Sequence, residues 1–474
     1  MKIYEKRLTK NIFKRSVISL LTAFKNEGYE IYVVGGCVRD IVIGNTPHDI
    51  DLTTNAKPKE TIRILEKEGL KYHKLGIKFG TVVAHVNGED MEITTYRSES
   101  NTDGRHCNVN FVSSLEKDLK RRDFTINAMA YDVLTDELVD PFYGYNDIKN
   151  KILRTVGNPK ERFDEDSLRV LRALRFSIKY NFKMELNLKE KIYEFIEKGK
   201  IDNLSKERIS NELMKILSVE NLTKDNFNML TPLFFHLFPL LKLQENFDQN
   251  NRFHCFDLWT HTSKSILLVS QIVKNTFVNV DIAKCRLAML LHDIGKPLCE
   301  SKDKDGESHY YNHNEVGYNI VVPLLKGLKF TNKDVDFIST LVKYHDSNFI
   351  GDSEKSVKKL IKKVGEDKIE SLLVIMLADK QSQNMSCATP YYLNLIRAMD
   401  TYQALKDKHE LAAESSNLAV NGKDIIEVFN IEPSPLIGDL IRTASEAVDD
   451  GVIENTKEDI LKYLSPIFKS KTHI

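Results

Sequence analysis

Val33-Val34-Gly35-Gly36-Cys37-Val38-Arg39-Asp40, with His48-Asp49-Ile50-Asp51-Leu52 a few residues later, decides how this chain is read. An apolar run, Ile31–Val34, ends in a glycine pair and turns into Arg-Asp. Two aspartates one residue apart follow in what reads as a second short buried strand, Ile50–Leu52. Residues two apart on a strand face the same way, so Asp49 and Asp51 are expected to project together while Ile50 and Leu52 turn to the core. Two adjacent carboxylates repel each other unless a cation sits between them. Mg²⁺, held by one or two carboxylates plus substrate phosphates, suits that arrangement. Gly35 and Gly36 let the backbone approach a phosphate, and the Arg39 guanidinium is suited to pairing with a triphosphate. Taken alone, D-x-D also fits a solvated strand end, so the surrounding sequence has to decide.

Working outward, Thr61–Gly69 reads as a helix, and Thr81–Val86 and Met91–Tyr96 flank Asn87-Gly88, a hairpin signal. From Asp164 to about residue 245 the apolar residues recur at three- and four-residue spacing, which predicts helices throughout. Residues 255–400 read as a second all-helical block, with five of the thirteen histidines. After Asn421-Gly422 the tail reads as helices interrupted by Pro433 and Pro435. The 474 residues exceed what one core normally spans, so several compact units are expected. Lys+Arg and Asp+Glu balance at 68 each, so only local charge bears on partners. Residues 149–215 carry 17 Lys/Arg against 11 Asp/Glu, a surface that suits a phosphate backbone. Six cysteines without C-x-x-C spacing exclude a zinc ribbon or disulfide framework and fit reduced thiols in the cytoplasm. No signal-peptide pattern and no run of about 18 apolar residues occurs, so no membrane partner is expected.

Two further motifs weigh against the solvated-strand reading. Arg121-Arg122-Asp123-Phe124-Thr125-Ile126-Asn127-Ala128 places a second Arg-Asp before an apolar helix start. Glu165-Asp166-Ser167-Leu168-Arg169-Val170-Leu171-Arg172-Ala173-Leu174-Arg175 puts Glu165, Asp166, Arg169, Arg172 and Arg175 on one half of a helix, with Val170, Leu171 and Leu174 on the other.

Together GGCVRD, DIDL, RRDFTINAMAYD and EDSLRVLRALRF resemble, in order, the head and neck of bacterial class II CCA-adding enzymes, the tRNA nucleotidyltransferases. The resemblance covers residues 30–215 closely and the rest loosely. It implies an α+β fold with four regions: a polymerase beta-like nucleotidyltransferase head with a small mixed sheet (1–148), a helical neck and body for base selection and RNA binding (149–250), an HD region (251–400) and a helical tRNA-binding tail (401–474). It implies that Asp49 and Asp51 hold catalytic Mg²⁺, that Gly36, Arg39 and Arg122 bind the nucleotide, and that Asp166, Arg169, Arg172 and Arg175 meet its base and phosphates. The polar loop from Arg97 to His106 resembles the flexible element of members that add all of CCA. Ser205–Glu212 resembles the last helical motif and reads as support for the neck. Glu92, on the second hairpin strand, is read as a partner for a nearby arginine rather than as a third metal ligand.

Base selection has its own chemical logic. Cytosine and adenine each offer an amino group beside a ring nitrogen acceptor, which one carboxylate and one guanidinium can read together. Guanine and uracil present a carbonyl and an N–H there, and both contacts would fail. Asp166 with Arg169 is the expected reader.

The histidine block raises a separate expectation. His261, then His292-Asp293-Ile294-Gly295-Lys296 after the apolar run Leu287–Leu291, then Asp379, resemble the HD phosphohydrolase domain. Imidazoles and carboxylates from separate helices can hold a divalent transition metal that activates water against a phosphate ester. His313 and His345 are candidates for a second ion. The expected activity is addition of C, C and A to tRNA 3′ ends from CTP and ATP. Poly(A) polymerase and CC-only or A-only adders are rivals within the class. An HD phosphohydrolase with a nucleotide-sensing or RNA-binding head is the rival outside it.

Overall fold

The computed structural model describes residues 3–4, 12–47, 49–74, 76–100, 108–276, 278–346, 352–408, 418–449 and 452–472. His48 and most of the expected flexible loop, 101–107, lie outside the described residues.

The chain is α+β. Its head is built on one eight-stranded mixed sheet in the order β1-β10-β9-β2-β3-β6-β5-β4. These strands are β1 (Ile3–Tyr4), β2 (Ile31–Val34), β3 (Asp51–Thr54), β4 (Lys71–His73), β5 (Thr81–Val86), β6 (Glu89–Thr95), β9 (Ala130–Asp132) and β10 (Glu137–Val139), while β7 (Arg97–Ser100) and β8 (Asn108–Phe111) form a separate antiparallel pair. Only β3 and β6 run parallel, with Asp51 opposite Glu92. The β5–β6 hairpin turns at Asn87 and Gly88, with φ of 51° and 84°, as a two-residue turn with both residues left-handed requires. Helix α1 (Arg15–Asn26) buries Val17, Leu20, Leu21 and Phe24 at helical spacing. It is followed in the head by α2 (Gly36–Ile43), α3 (Pro58–Lys67), α4 (Leu115–Lys120) and α5 (Gly144–Lys149).

The neck begins at α6 (Pro159–Glu165), capped by Asn158 with proline in its first turn, and continues through α7 (Leu168–Tyr180), α8 (Leu186–Glu197), α9 (Lys206–Leu217) and α10 (Lys224–Leu237). The helix expected to run unbroken from Glu165 to Arg175 is interrupted. Asp166 is extended, with φ −154° and ψ 104°, and separates α6 from α7. Its side chain accepts from the Leu168 N–H, a local bond that competes with continuing the helix. The neck also includes a two-residue strand, Lys183–Met184, paired with Ile152–Leu153. Helices α11 (Leu258–Thr276), α12 (Ile282–Leu291), α13 (Lys296–Cys299), α14 (His313–Gly327), α15 (Asn332–Tyr344), α16 (Glu354–Val364), α17 (Ile369–Ser382) and α18 (Met385–Asp407) form a bundle. It carries one small two-stranded pair, Ser301–Lys302 with Ser308–His309.

One cluster of buried apolar residues runs without a break from Phe13 in the head to Leu405 in the bundle. The tail helices, α19 (Gly422–Phe429), α20 (Pro435–Asp449) and α21 (Lys457–Thr472), bury their own cluster around Ile425, Leu440, Ile460 and Leu464. Asn421 starts α19 with a capping box closed by Asp424. No described helix is long and apolar enough to cross a membrane.

Candidate active site and metal centre

At the end of β2 the chain turns at Gly35, where φ is +70°. A Cβ there would lie 2.9 Å from Arg122 Nη1 and 3.8 Å from Asp51 Oδ2. The turn is therefore glycine for two reasons: its backbone angle, and the close approach of a guanidinium and a carboxylate. Asp51 opens β3, while Asp49 sits exposed in the bend before it. The strand starts later than expected because Val33 pairs with Leu52 and the partner strand ends at Val34, leaving Asp49 and Ile50 unpaired. Parallel pairing instead brings Glu92 level with Asp51. Burial, then the negative charges of Glu92 and Asp49, raise the Asp51 carboxyl above its ordinary 3.8, with Arg122 opposing them. Glu92 is exposed and forms no ion pair with a lysine or arginine among the described residues. The arginine-partner reading is thus corrected. Alternation along β6 pointed to Glu92, but the parallel register that places it beside Asp51 is a tertiary fact.

Arg122 leans on Asp118, with Nη2 3.4 Å from Oδ2. Asp118 is fully buried and also takes Arg121 Nε at 3.0 Å and the Arg97 N–H at 3.2 Å. The Arg122 Nε is buried without a hydrogen-bond partner among the described residues, so this guanidinium keeps donor capacity beside Asp51. Gly36 opens α2 close to Arg39. Arg39 is itself buried: Nη1 donates to Asn127 Oδ1 at 2.7 Å, Nε to Asp40 at 2.9 Å, and its plane lies over Phe176 and Tyr180.

The α7 residues meet the head directly at Arg121–Asp123. Arg172 donates twice to Asp123 Oδ2, at 2.9 and 2.7 Å, and Arg175 Nε lies 2.8 Å from Glu212 Oε2. Arg169 is buried and donates to Glu165 at 2.5 Å, to the Arg162 carbonyl at 3.1 Å and to the Arg121 carbonyl at 3.0 Å. Asp166 accepts from Arg208 at 2.8 Å. The structure therefore brings Asp166, Arg169, Arg172 and Arg175 into one polar network with residues 121–123, α6 and α9, and each is engaged by its own partner there. Asp118, Asp123, Arg208 and Glu212 complete this network. The motifs containing Asp123, Arg208 and Glu212 were visible in the sequence, but their pairings were not.

In the bundle, His261 comes from α11, His292 and Asp293 follow α12, His313 opens α14, His345 follows α15, and Asp379 lies on α17. His261, His292, Asp293 and Asp379 bring ligand atoms within 4.8 Å of one another, as do Asp293, His313 and His345. Among the described residues no other group of three histidine, cysteine or acidic side chains does so. All are buried. The Nδ1 atoms of His292, His313 and His345 face the carbonyls of Met289, Tyr310 and Val342 at 2.7–2.8 Å, and a carbonyl can only accept. That of His261 faces Ser382 Oγ at 2.9 Å, whose own proton goes to the Asp379 carbonyl. Neutral imidazoles so held present Nε2 lone pairs, fixed in orientation by these outer partners.

Those lone pairs meet at 3.3 Å, His261 to His292 and His313 to His345, and between them lie both Asp293 oxygens, buried without a hydrogen bond. Facing lone pairs and a buried carboxylate balanced by Lys296 are a donor set for cations, and Asp293 is shared between the two groups. Burial holds His261 down in the neutral form that ligates. Burial alone would raise the Asp293 carboxyl, but the Lys296 ammonium, whose Nζ is 2.8 Å away, helps hold it well below 3.8.

Gly295 packs against α14 so closely that a Cβ would fall 2.3 Å from the His313 carbonyl oxygen and 2.9 Å from the Gly317 nitrogen. Gly295→Ala is expected to push α14 away, at a cost of about 1–3 kcal/mol or more, and to displace His313. Metal titration followed by chemical denaturation checks both effects. Wild-type stability and metal uptake would contradict the packing argument.

Residues 31–154 match the Poly A polymerase head domain and residues 258–383 match the HD domain. The CCA-adding enzyme of Oceanobacillus iheyensis is 43% identical over 207 residues, 43% of this chain and 50% of that protein. That of Bacillus cereus (strain AH187) is 30% identical over 459 residues, 94% of this chain and 96% of that protein. The crystal structure of the Bacillus stearothermophilus CCA-adding enzyme in complex with CTP aligns with a TM-score of 0.55 at 25% identity, over 96% of this chain and 98% of that one. With a relative matched along nearly its whole length, and a nucleotidyltransferase head preceding an HD domain in one continuous fold, the chain belongs to the family of CCA-adding enzymes.

Proposed function

We propose that this protein builds the 3′-terminal CCA of tRNA from CTP and ATP, without a nucleic-acid template, releasing pyrophosphate. The observation that carries the reading is the convergence of Asp51, Glu92, Gly35 and Arg122 at the ends of the central strands β2, β3 and β6. Asp49 and Asp51, joined by Glu92, would hold Mg²⁺ there. That ion supplies Lewis acidity to the attacking ribose hydroxyl and the leaving phosphate oxygens. Arg122, with donor capacity to spare, takes the triphosphate over the backbone at Gly35 and Gly36, and Arg39 braces the start of α2 beneath it. Arg172 and Arg175, held by Asp123 and Glu212, are placed to meet the nucleotide's phosphates. The basic neck and the tail bear on the tRNA phosphates.

Asp166 and Arg169 select the base. Without nucleotide, Asp166 is held by Arg208 and Arg169 by Glu165. The amino group of cytosine or adenine takes the place of Arg208 as donor, so no carboxylate is left unpaired in either state. Asp166→Ala should lower the preference for C over U roughly 10- to 150-fold, the worth of one hydrogen bond to a charged group at about 1.5–3 kcal/mol. Misincorporation with single labelled nucleotides measures it, and an unchanged preference would move base selection to the RNA end.

The bundle is proposed as a second, phosphohydrolase site. His261, His292, Asp293 and Asp379 would hold one divalent transition metal, and Asp293, His313 and His345 another. Its support is the lone-pair geometry. A cytoplasmic location fits the scattered cysteines. Supplying tRNA lacking A, CA or CCA with each nucleotide in turn tests the main reading. CCA completion supports it, whereas long A tails, or addition of CC or A alone, would replace it with the corresponding rival.

A further inference from the structure

We infer that Arg286, a residue of the metal-binding bundle, positions the base-selecting groups of the nucleotidyltransferase site. The inference rests on the reading of Asp166 and α7 given above. Arg286 lies on α12 and is wholly buried, the largest fully buried side chain described. A buried guanidinium is ordinarily matched by a carboxylate, and Arg286 forms no ion pair with one among the described residues. Its donors go instead to backbone carbonyls across the neck boundary: Nη1 to Leu217 at 2.7 Å and Val219 at 2.5 Å, and Nη2 to Glu220 at 2.9 Å. Nη2 also donates to Ser270 Oγ, on α11. Leu217 is the last residue of α9, so Arg286 places a full positive charge on the carbonyls that end that helix, where a cation interacts best with the helix dipole.

The other end of α9 faces the nucleotide site. Arg208 and Glu212, one turn apart, hold Asp166 and Arg175 at 2.8 Å each. They lie about 13 and 7 Å along the helix from the capped end. Between them Ile209, Leu213 and Ile216 pack in the apolar cluster shared by neck and bundle. A straight helix pinned at one end carries any slip of that end to the other. Contacts of 2.8 Å do not survive a shift of an ångström or two. Without Arg286 the buried Leu217 carbonyl and the half-buried carbonyls of Val219 and Glu220 lose their donor, the end of α9 is free to move toward water, and Arg208 and Glu212 leave register with α7. His292 and Asp293 follow the C-terminal end of α12, six and seven residues beyond Arg286, and Arg286 itself touches none of the groups that face Asp293.

The test uses the full-length protein and tRNA lacking its terminal CCA. The preference for C over U is measured for wild type, Arg286→Met and Arg286→Lys, with metal uptake followed in parallel. A ratio of two incorporations is independent of how much of the preparation is folded, so it separates positioning from stability. Arg286→Met is expected to lose about tenfold in preference, and Arg286→Lys, which can still donate to one or two carbonyls, to lose less. Combined with Arg208→Ala the losses should be less than additive, because both act through Asp166. If Arg286→Met does not fold, Arg286→Lys carries the same measurement. Unchanged preference in the folded variants, with activity falling only in step with the folded fraction, would overturn the inference and leave Arg286 a structural cap. A wild-type protein without preference for C would instead defeat the reading of α7 itself.

Discussion

Asp51→Asn is expected to reduce nucleotide addition by on the order of 10³-fold while tRNA binding stays near wild type. The substitution keeps the shape of the side chain and removes its charge. Loss of a carboxylate ligand forfeits several kcal/mol of transition-state stabilisation, and each ~1.4 kcal/mol is a factor of ten. RNA affinity comes mainly from phosphate contacts elsewhere and should persist. Single-turnover addition and a tRNA gel-shift measure the two effects. Near-normal turnover would refute the carboxylate mechanism.

The same variant should raise the thermal stability of the metal-free protein at neutral pH. The Asp51 carboxyl lies above its ordinary 3.8 through burial, Glu92 and Asp49. Below pH 3.8 it is protonated in folded and unfolded chains alike and costs nothing. As pH rises through the folded value, the folded head must hold an anion that the unfolded chain holds more easily, and stability is lost. Removing the charge removes that loss, and adding Mg²⁺ to wild type should do the same. The site trades stability for function.

Asp293→Asn is expected to abolish metal binding in the bundle, at both positions, and with it any metal-dependent phosphatase activity. This one carboxylate faces His261 and His292 through Oδ2 and His313 and His345 through Oδ1, at 3.0–3.5 Å. Loss of an outer partner of a ligand already costs about 10- to 100-fold in affinity, so loss of a shared ligand should exceed that. Lys296 is left as a buried cation without its counter-ion, so a stability loss of about 3–5 kcal/mol accompanies the change. His313→Ala removes only one of the two groups, and half the metal should remain. Elemental analysis after dialysis against Mn²⁺ or Zn²⁺ reads both variants, with C and A addition followed as the control. Full metal retention in Asp293→Asn would refute the shared-ligand arrangement. Loss of nucleotide addition in step with metal would mean that the bundle metal supports the head.

Much of this was legible in the sequence because it is decided over a few residues. Asn87-Gly88 can take the left-handed angles that a two-residue hairpin needs, and β5 and β6 follow from it. His261, His292-Asp293 and Asp379, read in order along the chain, do come together in the bundle, because each is held where an apolar helix begins, ends or passes through it. Arg169, Arg172 and Arg175 share a face of α7 by period alone. Local bonding also broke one expectation, since the Asp166 side chain took the Leu168 N–H and ended the helix there.

What the tertiary structure alone decided is which charges meet. Asp51 finds Glu92 across a parallel pair, Arg122 finds Gly35 from 87 residues away, Asp166 finds Arg208, and Arg286 finds the end of α9. Periodicity and turn chemistry state which way a side chain faces, but not what stands opposite. That choice belongs to the packing of the apolar core running from head to bundle, whose contacts are non-local and largely indifferent to the identity of the polar groups they carry into register.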